Sequence, residues 1–452
     1  MMRRGFKIMA LLVFVLMLPV SAGAAGKSIA TANGGVGVKR VISPGGIEAW
    51  LVEDHTNPVI SLRLAFRGGA ALDPSGKKGL ARMVAALLDE GAGGLDSKTF
   101  QQRLDDLSIT LRFDAGRDRL TGKLRTLTEN RDEAFKLLRL SLTVPRFDAE
   151  PVERIRMQLL SSVRQDMEDP DTVASHALAA RLYPDHAYGF PVDGTENSLK
   201  AITGDDLRRF ARDRLGRDNL FIGVVGDVTA DQLSASLDGL FGDLPDKAKV
   251  TSITDTTPKT DGGISVVDLK VPQSGITFAQ VGLKRDDPEF FTAYVMNHIL
   301  GGGGFTSRLY NEVREKRGLA YSVASYLYPL DHSAMIMGVA GTANAGVSET
   351  IAVIKEQWRK MAKGGITQSE LNDAKTYLVG SYPLRFTSSG TIASMLVGIQ
   401  LEDLGIDYME KRNGYVEAVT LDGVNRLAAK LLDAEKLTIV IAGEPVGVET
   451  TH

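Results

Sequence analysis

Three stretches of this 452-residue chain carry residue types and spacings that bear on chemistry. In GKKGLARMVAALLDEGAGG, residues 76 to 94, Leu80, Val84, Leu87 and Leu88 form an apolar stripe at helical spacing, while Arg82, Ala85, Ala86 and Asp89 line up on a neighbouring face. An arginine followed by two alanines gives that face a permanent cation and, up to Asp89, no lone pair to offer. In NEVREKRGLAYSVASYL, Arg314 falls near a helical end closed by Gly318, and Tyr321 opens a β-rich run. Helix end and strand could present one charged and one phenolic donor toward the same space, and donors aimed at a developing oxyanion stabilise a transition state. Spacing alone reads more readily as surface charge and core packing. The run Gly301, Gly302, Gly303, Gly304 follows a helical pattern, FFTAYVMNHIL, and lacks a Gly-Lys-Ser/Thr ending, so it is no phosphate loop. It reads as a loop allowing close backbone approach, of substrate included, or as a tight turn.

Other chemistries find little support. There is no cysteine, which removes disulfides, thiolate zinc sites and thiol catalysis. The six histidines, at 55, 176, 186, 298, 332 and 452, form no pair at helical spacing, and His186 in PDHAYG suits a structural role. No Gly-x-Ser-x-Gly elbow is present. The densest basic segment, LRRFARDRLGR at 207 to 217, is interrupted by Asp213 and preceded by Asp205 and Asp206, a solvated helix face with no nucleic-acid partner implied.

The elements that must position these residues fall into a repeating order. Residues 1 to 25 read as a secretory signal peptide: Arg3, Arg4 and Lys7 precede an apolar run from Ile8 to Val20 and a small-x-small cleavage pattern, Ala22-Gly23-Ala24. Without those three basic residues, 50 Lys and Arg stand against 56 Asp and Glu, a mildly acidic surface. No other apolar stretch has spanning length, so a bacterial periplasm is the expected location and no membrane span is expected after cleavage. One part, 36 to 245, opens with strands around EAWLVED and VISLRLAFRGG, fills with helices and closes on NLFIGVVGD and a helix. A Thr-, Lys- and Pro-rich segment, 246 to 262, reads as a linker. The second part, 263 to 448, repeats the order from GISVVDL and GITFAQVGL to KLTIVIAGEP, which predicts a duplicated α+β domain.

NPVISLRLAFRGGAALDPSGKKGLA, YPDHAYGFPVDGTENSLKAITGDDLRRF and LGGGGFTSRLYNEVREKRGLAYSV together resemble the pitrilysin/insulinase-type zinc metallopeptidases, the family of the mitochondrial processing peptidase and the cytochrome bc1 core proteins. The resemblance runs from about Val36 to Val448 and implies a processing-peptidase/LuxS-like fold, two homologous domains of mainly antiparallel sheet packed with helices in a clamshell. In that family an H-x-x-E-H motif after Gly-Leu-Ala supplies two zinc ligands and a general base. Here the frame reads Arg82-Met83-Val84-Ala85-Ala86. The family's third ligand is a glutamate seven residues beyond the glutamate of a Glu-Arg pair; from Glu153-Arg154 that position is Leu160, and nothing from Ile155 to Gln165 is acidic.

The resemblance therefore implies a chain that binds no zinc itself, since alanine and leucine offer no donor and guanidinium repels a cation. It further implies that Arg314 and Tyr321 match the family's Arg/Tyr pair, which reaches substrate held at zinc across a closed chamber. On this reading the chain is the substrate-binding half of a split peptidase, with zinc and general base on a homologous H-x-x-E-H-bearing partner and a peptide or unfolded protein as substrate. A homodimer is expected to be possible when the chain is isolated. The alternative is a non-catalytic scaffold or peptide-binding protein resembling the core proteins.

Overall fold

The computed structural model describes residues 37–451; the stretch 1 to 25, read above as a signal peptide, lies outside them. Two mixed β-sheets packed with helices make up an α+β fold. The first sheet comprises β1 (Lys39–Ile42), β2 (Glu48–Glu53), β3 (Val59–Arg67), β4 (Thr110–Ala115), β5 (Arg119–Leu127) and β6 (Leu220–Gly226), in the order β1-β2-β6-β3-β5-β4. The second comprises β7 (Ile264–Asp268), β8 (Gln273–Val281), β9 (Ala320–Leu330), β10 (Ser333–Ala343) and β11 (Thr438–Gly443), in the order β7-β11-β8-β10-β9. Position for position, this repeats β2-β6-β3-β5-β4. β6 runs parallel to β2 and antiparallel to β3, as β11 runs parallel to β7 and antiparallel to β8.

Period-two alternation sends β3 residues Ile60, Leu62, Leu64 and Phe66 into one core with the helices Leu80–Leu87, Ala149–Asp166 and Gly204–Arg214. Ile276 and Phe278 of β8 do the same against Val347–Gly364 in the second half. The opposite faces are covered by exchange. Helix Ser389–Leu401, from the second half, lies on β3 and β6, burying Ile392 and Leu396 against Trp50, Val52 and Val225. Helix Pro170–Leu182, from the first half, lies on β8 and β11, burying Ala174 and Leu178 against Ala279 and Val440. The sequence supports both starts: Ser388 and Asp169 accept the N–H groups of Thr391 and Thr172, and Pro170 occupies the first helical position. The residues of Ser389–Leu401 are apolar around most of the circumference, as a helix enclosed on several sides requires.

Between Phe241 and Ile264 there is neither helix nor strand, yet the segment is tied to residues of both halves. Thr256 N–H donates to the His332 carbonyl at 2.8 Å, and Lys259 N–H to that of Leu182 at 2.9 Å. His186 bonds the Thr254 carbonyl through Nε2 at 3.0 Å and accepts from Tyr188 N–H at 3.2 Å, a structural post. Among the described residues, no helix is long and apolar enough to cross a membrane.

Candidate functional site

Helix Leu80–Leu87 presents the Arg82-to-Ala86 frame. Ala85 is 1% exposed and belongs to the first core, and Ala86 packs against that core's edge. Leu160, from Ala149–Asp166, is buried in the same core. Arg82 turns outward, its Nη1 paired with Asp114 on β4 and its Nε with Asp193 at 3.0 Å. Asp89, at the frame's far end, is buried, and burial, partly offset by Arg112 at 2.8 Å, pushes its carboxyl above the usual range.

These four positions do not fit zinc. Two alanine methyls and a leucine side chain have no lone pairs, and the one polar group is a guanidinium already held by two carboxylates. Among the described residues no group of three or more His, Asp or Glu side chains is arranged to hold a metal ion.

A cavity of about 800 Å³ opens beside this frame, lined by Arg82, Ala85, Ala86, Arg112 and Lys123 among others. Its wall continues along β3 and β5, where Arg63 stands opposite Lys123 and Ser61 opposite Arg125. Arg63 donates to the carbonyls of Leu62 and Leu124, at 3.0 and 3.4 Å. Burial and then the Arg125 charge push its guanidinium below the ordinary value. Among the described residues, Arg63, Lys123 and Arg125 have no carboxylate in ion-pair contact. Sequence reasoning did not find this cationic wall. The alternation in RLTGKLR signals charges on one strand face, but only the register with β3 places Arg63 among them.

In the second half, a wide helical turn, Tyr310–Glu315, carries Arg314. Gly318 follows with φ of 63°, a left-handed position that suits glycine, and β9 then begins. Arg314 Nη1 donates to the Tyr321 carbonyl at 2.6 Å, and its guanidinium lies 5.1 Å from the Tyr310 ring centroid. The pairing of β9 with β10 runs from Ser322 opposite Gly341 to Ala320 opposite Thr342, so Tyr321 is the extra residue of a β-bulge. A bulge re-aims the side chain it carries. Ala320 and Val323 enter the core, while Tyr321 stands 72% exposed. The structure thus brings Arg314 and Tyr321 together; the core role that spacing alone suggested for the tyrosine does not apply.

The glycine run continues helix Phe290–Asn297 as a widened turn, His298–Gly302, followed by the short turn Gly304–Thr306. At Gly301 the backbone lies against β9 so closely that a Cβ would meet Ser325 N at 2.7 Å and its Oγ at 2.4 Å. Gly301, Gly302 and Gly304 line a second cavity, of about 750 Å³, between the exchanged helix Ser389–Leu401 and β9.

Comparison with known proteins adds to this geometry. The family model described as "Peptidase M16 inactive domain" matches residues 201–378. The chain is 32% identical over 349 residues to a Helicobacter pylori protein called "Non-peptidase homolog YmxG", covering 76% of this chain and 79% of that one. It is 22% identical over 405 residues to the Bacillus subtilis "Uncharacterized zinc protease YmxG", covering 90% and 98%. A crystal structure of a peptidase M16 inactive domain from Pseudomonas fluorescens superposes with a TM-score of 0.85 at 30% identity, over 91% of this chain and 98% of that one. A Helicobacter pylori protease structure, at 19% identity and TM-score 0.81, shares the fold.

Proposed function

Because the chain belongs to the M16 peptidase family, the pitrilysin/insulinase-type family it resembles in sequence, as a non-catalytic member, we propose that it is the substrate-binding subunit of a heterodimeric periplasmic zinc metallopeptidase. In this reading Arg314 and Tyr321 meet a peptide whose scissile bond is held at zinc on a homologous H-x-x-E-H-bearing partner. The observation that carries it is the pairing of the two donors at a bulge that turns the Tyr321 phenol out of the fold. Zinc and general base come from the partner, since Arg82, Ala85, Ala86 and Leu160 supply neither. Arg314 and Tyr321 then act as hydrogen-bond donors toward the carbonyl oxygen under attack, in a chamber from which water is excluded as the two chains close.

The second reading is a scaffold or peptide-binding protein without chemistry. It draws on the engagement of Arg314 with the start of β9 and with Tyr310, which suffices to account for an arginine there as packing. Native mass spectrometry of the mature protein recovered from its own periplasm, with zinc counted in the same sample, separates the two. A homologous partner with one zinc per pair supports the split peptidase. A metal-free chain, alone or as a homodimer, supports the scaffold.

A further inference from the structure

The cavity beside the glycine run is a wall of rings holding cations without counterions. Arg412 is 5% exposed, and burying a guanidinium is costly unless it is paired. Its partners are neutral: Nη1 donates to the Leu378 carbonyl at 2.7 Å and to Asn413 Oδ1 at 3.0 Å, and Nη2 to the Tyr294 hydroxyl at 3.3 Å. The group also lies over the Tyr382 ring, 4.6 Å from its centroid. Arg285 donates to the Tyr408 hydroxyl at 2.8 Å and stacks on Phe290, 4.2 Å from its centroid. Arg385 lines the same cavity on an exposed turn. Among the described residues none of these three arginines touches a carboxylate. The wall's own carboxylate, Glu402, is engaged by Arg119, which Asp331 also holds at 3.0 Å.

Phenols cannot supply the missing charge. Burial holds the Tyr382 hydroxyl up at about 12 and raises that of Tyr408, so both stay protonated at neutral pH. Met395, Ile399 and Leu404 add apolar surface beside the rings, and of the neutral polar groups on the wall Asn297 and Ser325 are bonded to each other, with His298 next to them. A site with cations and phenolic donors at one end and apolar surface around them matches an anion on an apolar body. Guanidinium prefers a planar carboxylate, which it can bind through two parallel hydrogen bonds. A volume of about 750 Å³ lies within the range of ligand pockets.

We propose that this cavity binds a carboxylate borne on an aromatic or other apolar group, as at the free C-terminus of a peptide ending in an apolar residue. The inference rests on the reading that the chain receives a peptide, and it names which end and which side-chain class it holds. A small aromatic acid shares the chemistry and is the other source.

The test uses the full mature chain and a fluorescently labelled tetrapeptide ending in phenylalanine, as free acid and as C-terminal amide, read by anisotropy. The free acid is expected to bind about tenfold or more tightly than the amide. That preference is expected to vanish in the double variant Arg285→Gln/Arg385→Gln, with folding checked by circular dichroism and Arg285→Lys retaining part of it. Competition by N-acetylphenylalanine at concentrations matching the peptide assigns the site to small acids, and its failure to compete assigns it to peptide ends. Equal binding of acid and amide, or an acid preference that survives in the double variant, overturns the proposal. Because no partner is needed, a chain that binds the acid yet never pairs with a zinc-bearing homologue refutes the split peptidase alone.

Discussion

Arg314 and Tyr321 are joined by one hydrogen bond, from the guanidinium to the tyrosine's backbone carbonyl at 2.6 Å, so the phenol plays no part in holding the pair together. Support and presentation are thereby divided between backbone and side chain. The carbonyl fixes the arginine, and the bulge at Tyr321 directs the ring away from the core that Ala320 and Val323 enter. An exposed phenol without a hydrogen bond among the described residues adds little to stability, which makes it a clean position for testing function.

Tyr321→Phe in a reconstituted pair is expected to lower peptide turnover on the order of 10²-fold, as loss of a single oxyanion donor does in comparable sites. The melting temperature and the assembly seen by size exclusion should not move. Arg314→Ala should lower turnover similarly while also loosening the start of β9, because the Tyr321 carbonyl loses its donor. Turnover unchanged in Tyr321→Phe would leave the phenol without a catalytic part and favour the scaffold.

Rebuilding the zinc frame should fail. Ala85→Glu places a carboxylate at a position 1% exposed, which is expected to cost about 2 kcal/mol or more. Arg82→His would strip Asp114 and Asp193 of the cation between them, and Leu160 still offers no third ligand. The triple variant Arg82→His/Ala85→Glu/Ala86→His should melt well below the parent and carry no stoichiometric zinc by elemental analysis. A stable variant with one zinc per chain would contradict this account of the site.

Acid sensitivity has a local source at the helix Gly204–Arg214. Burial alone would raise the Asp206 carboxyl. Hydrogen bonds from Lys77 and from the hydroxyl and N–H of Thr203 outweigh it and hold the group at about 2, against 3.8 in an unfolded chain. A depressed carboxylate stabilises the fold above its unfolded value, and that contribution is lost as pH falls from about 3.8 through about 2. Asp206→Asn should therefore melt lower at pH 7 and show a shallower loss of stability between pH 4 and pH 2. Parallel melting curves for parent and variant across that window would exclude Asp206 as a contributor.

The strands and the emptied frame were legible because their signals are local. Alternation in VISLRLAFRGG marks β3, and the residue types at 82, 85 and 86 state their own chemistry. Exchange of Pro170–Leu182 and Ser389–Leu401 was not legible, because helical period identifies an apolar face without saying which sheet it covers. The arginine-lined cavity was beyond reach for the same reason: Tyr408 and Arg412 share the helix Tyr408–Glu417, but Arg285 and Tyr382 come from two other segments, and only the fold brings the three together. Tyr321 shows a third limit. A one-residue bulge reverses which side of the strand a residue faces, and nothing in LAYSVASYL marks it.

The exchange has a consequence for folding that the two tryptophans can report. Trp50 packs under the exchanged helix Ser389–Leu401, and Trp358 is buried in the second half's own core, where its Nε1 donates to Gln280 Oε1 at 2.7 Å. Because each sheet has one face covered by the other half, neither half keeps both faces dry alone, and the chain should unfold as one cooperative unit. In urea, Trp50→Phe leaves fluorescence from Trp358 alone, and Trp358→Phe leaves it from Trp50 alone; Leu396→Ala added to each removes a fully buried side chain from the exchanged helix. That deletion is expected to cost about 2–5 kcal/mol. Within each background it should shift the midpoint by the same free energy, although Leu396 lies in the cluster of Trp50 and outside that of Trp358. A shift confined to the Trp50 signal would mean that the two halves unfold independently and that the exchanged helices do not couple them.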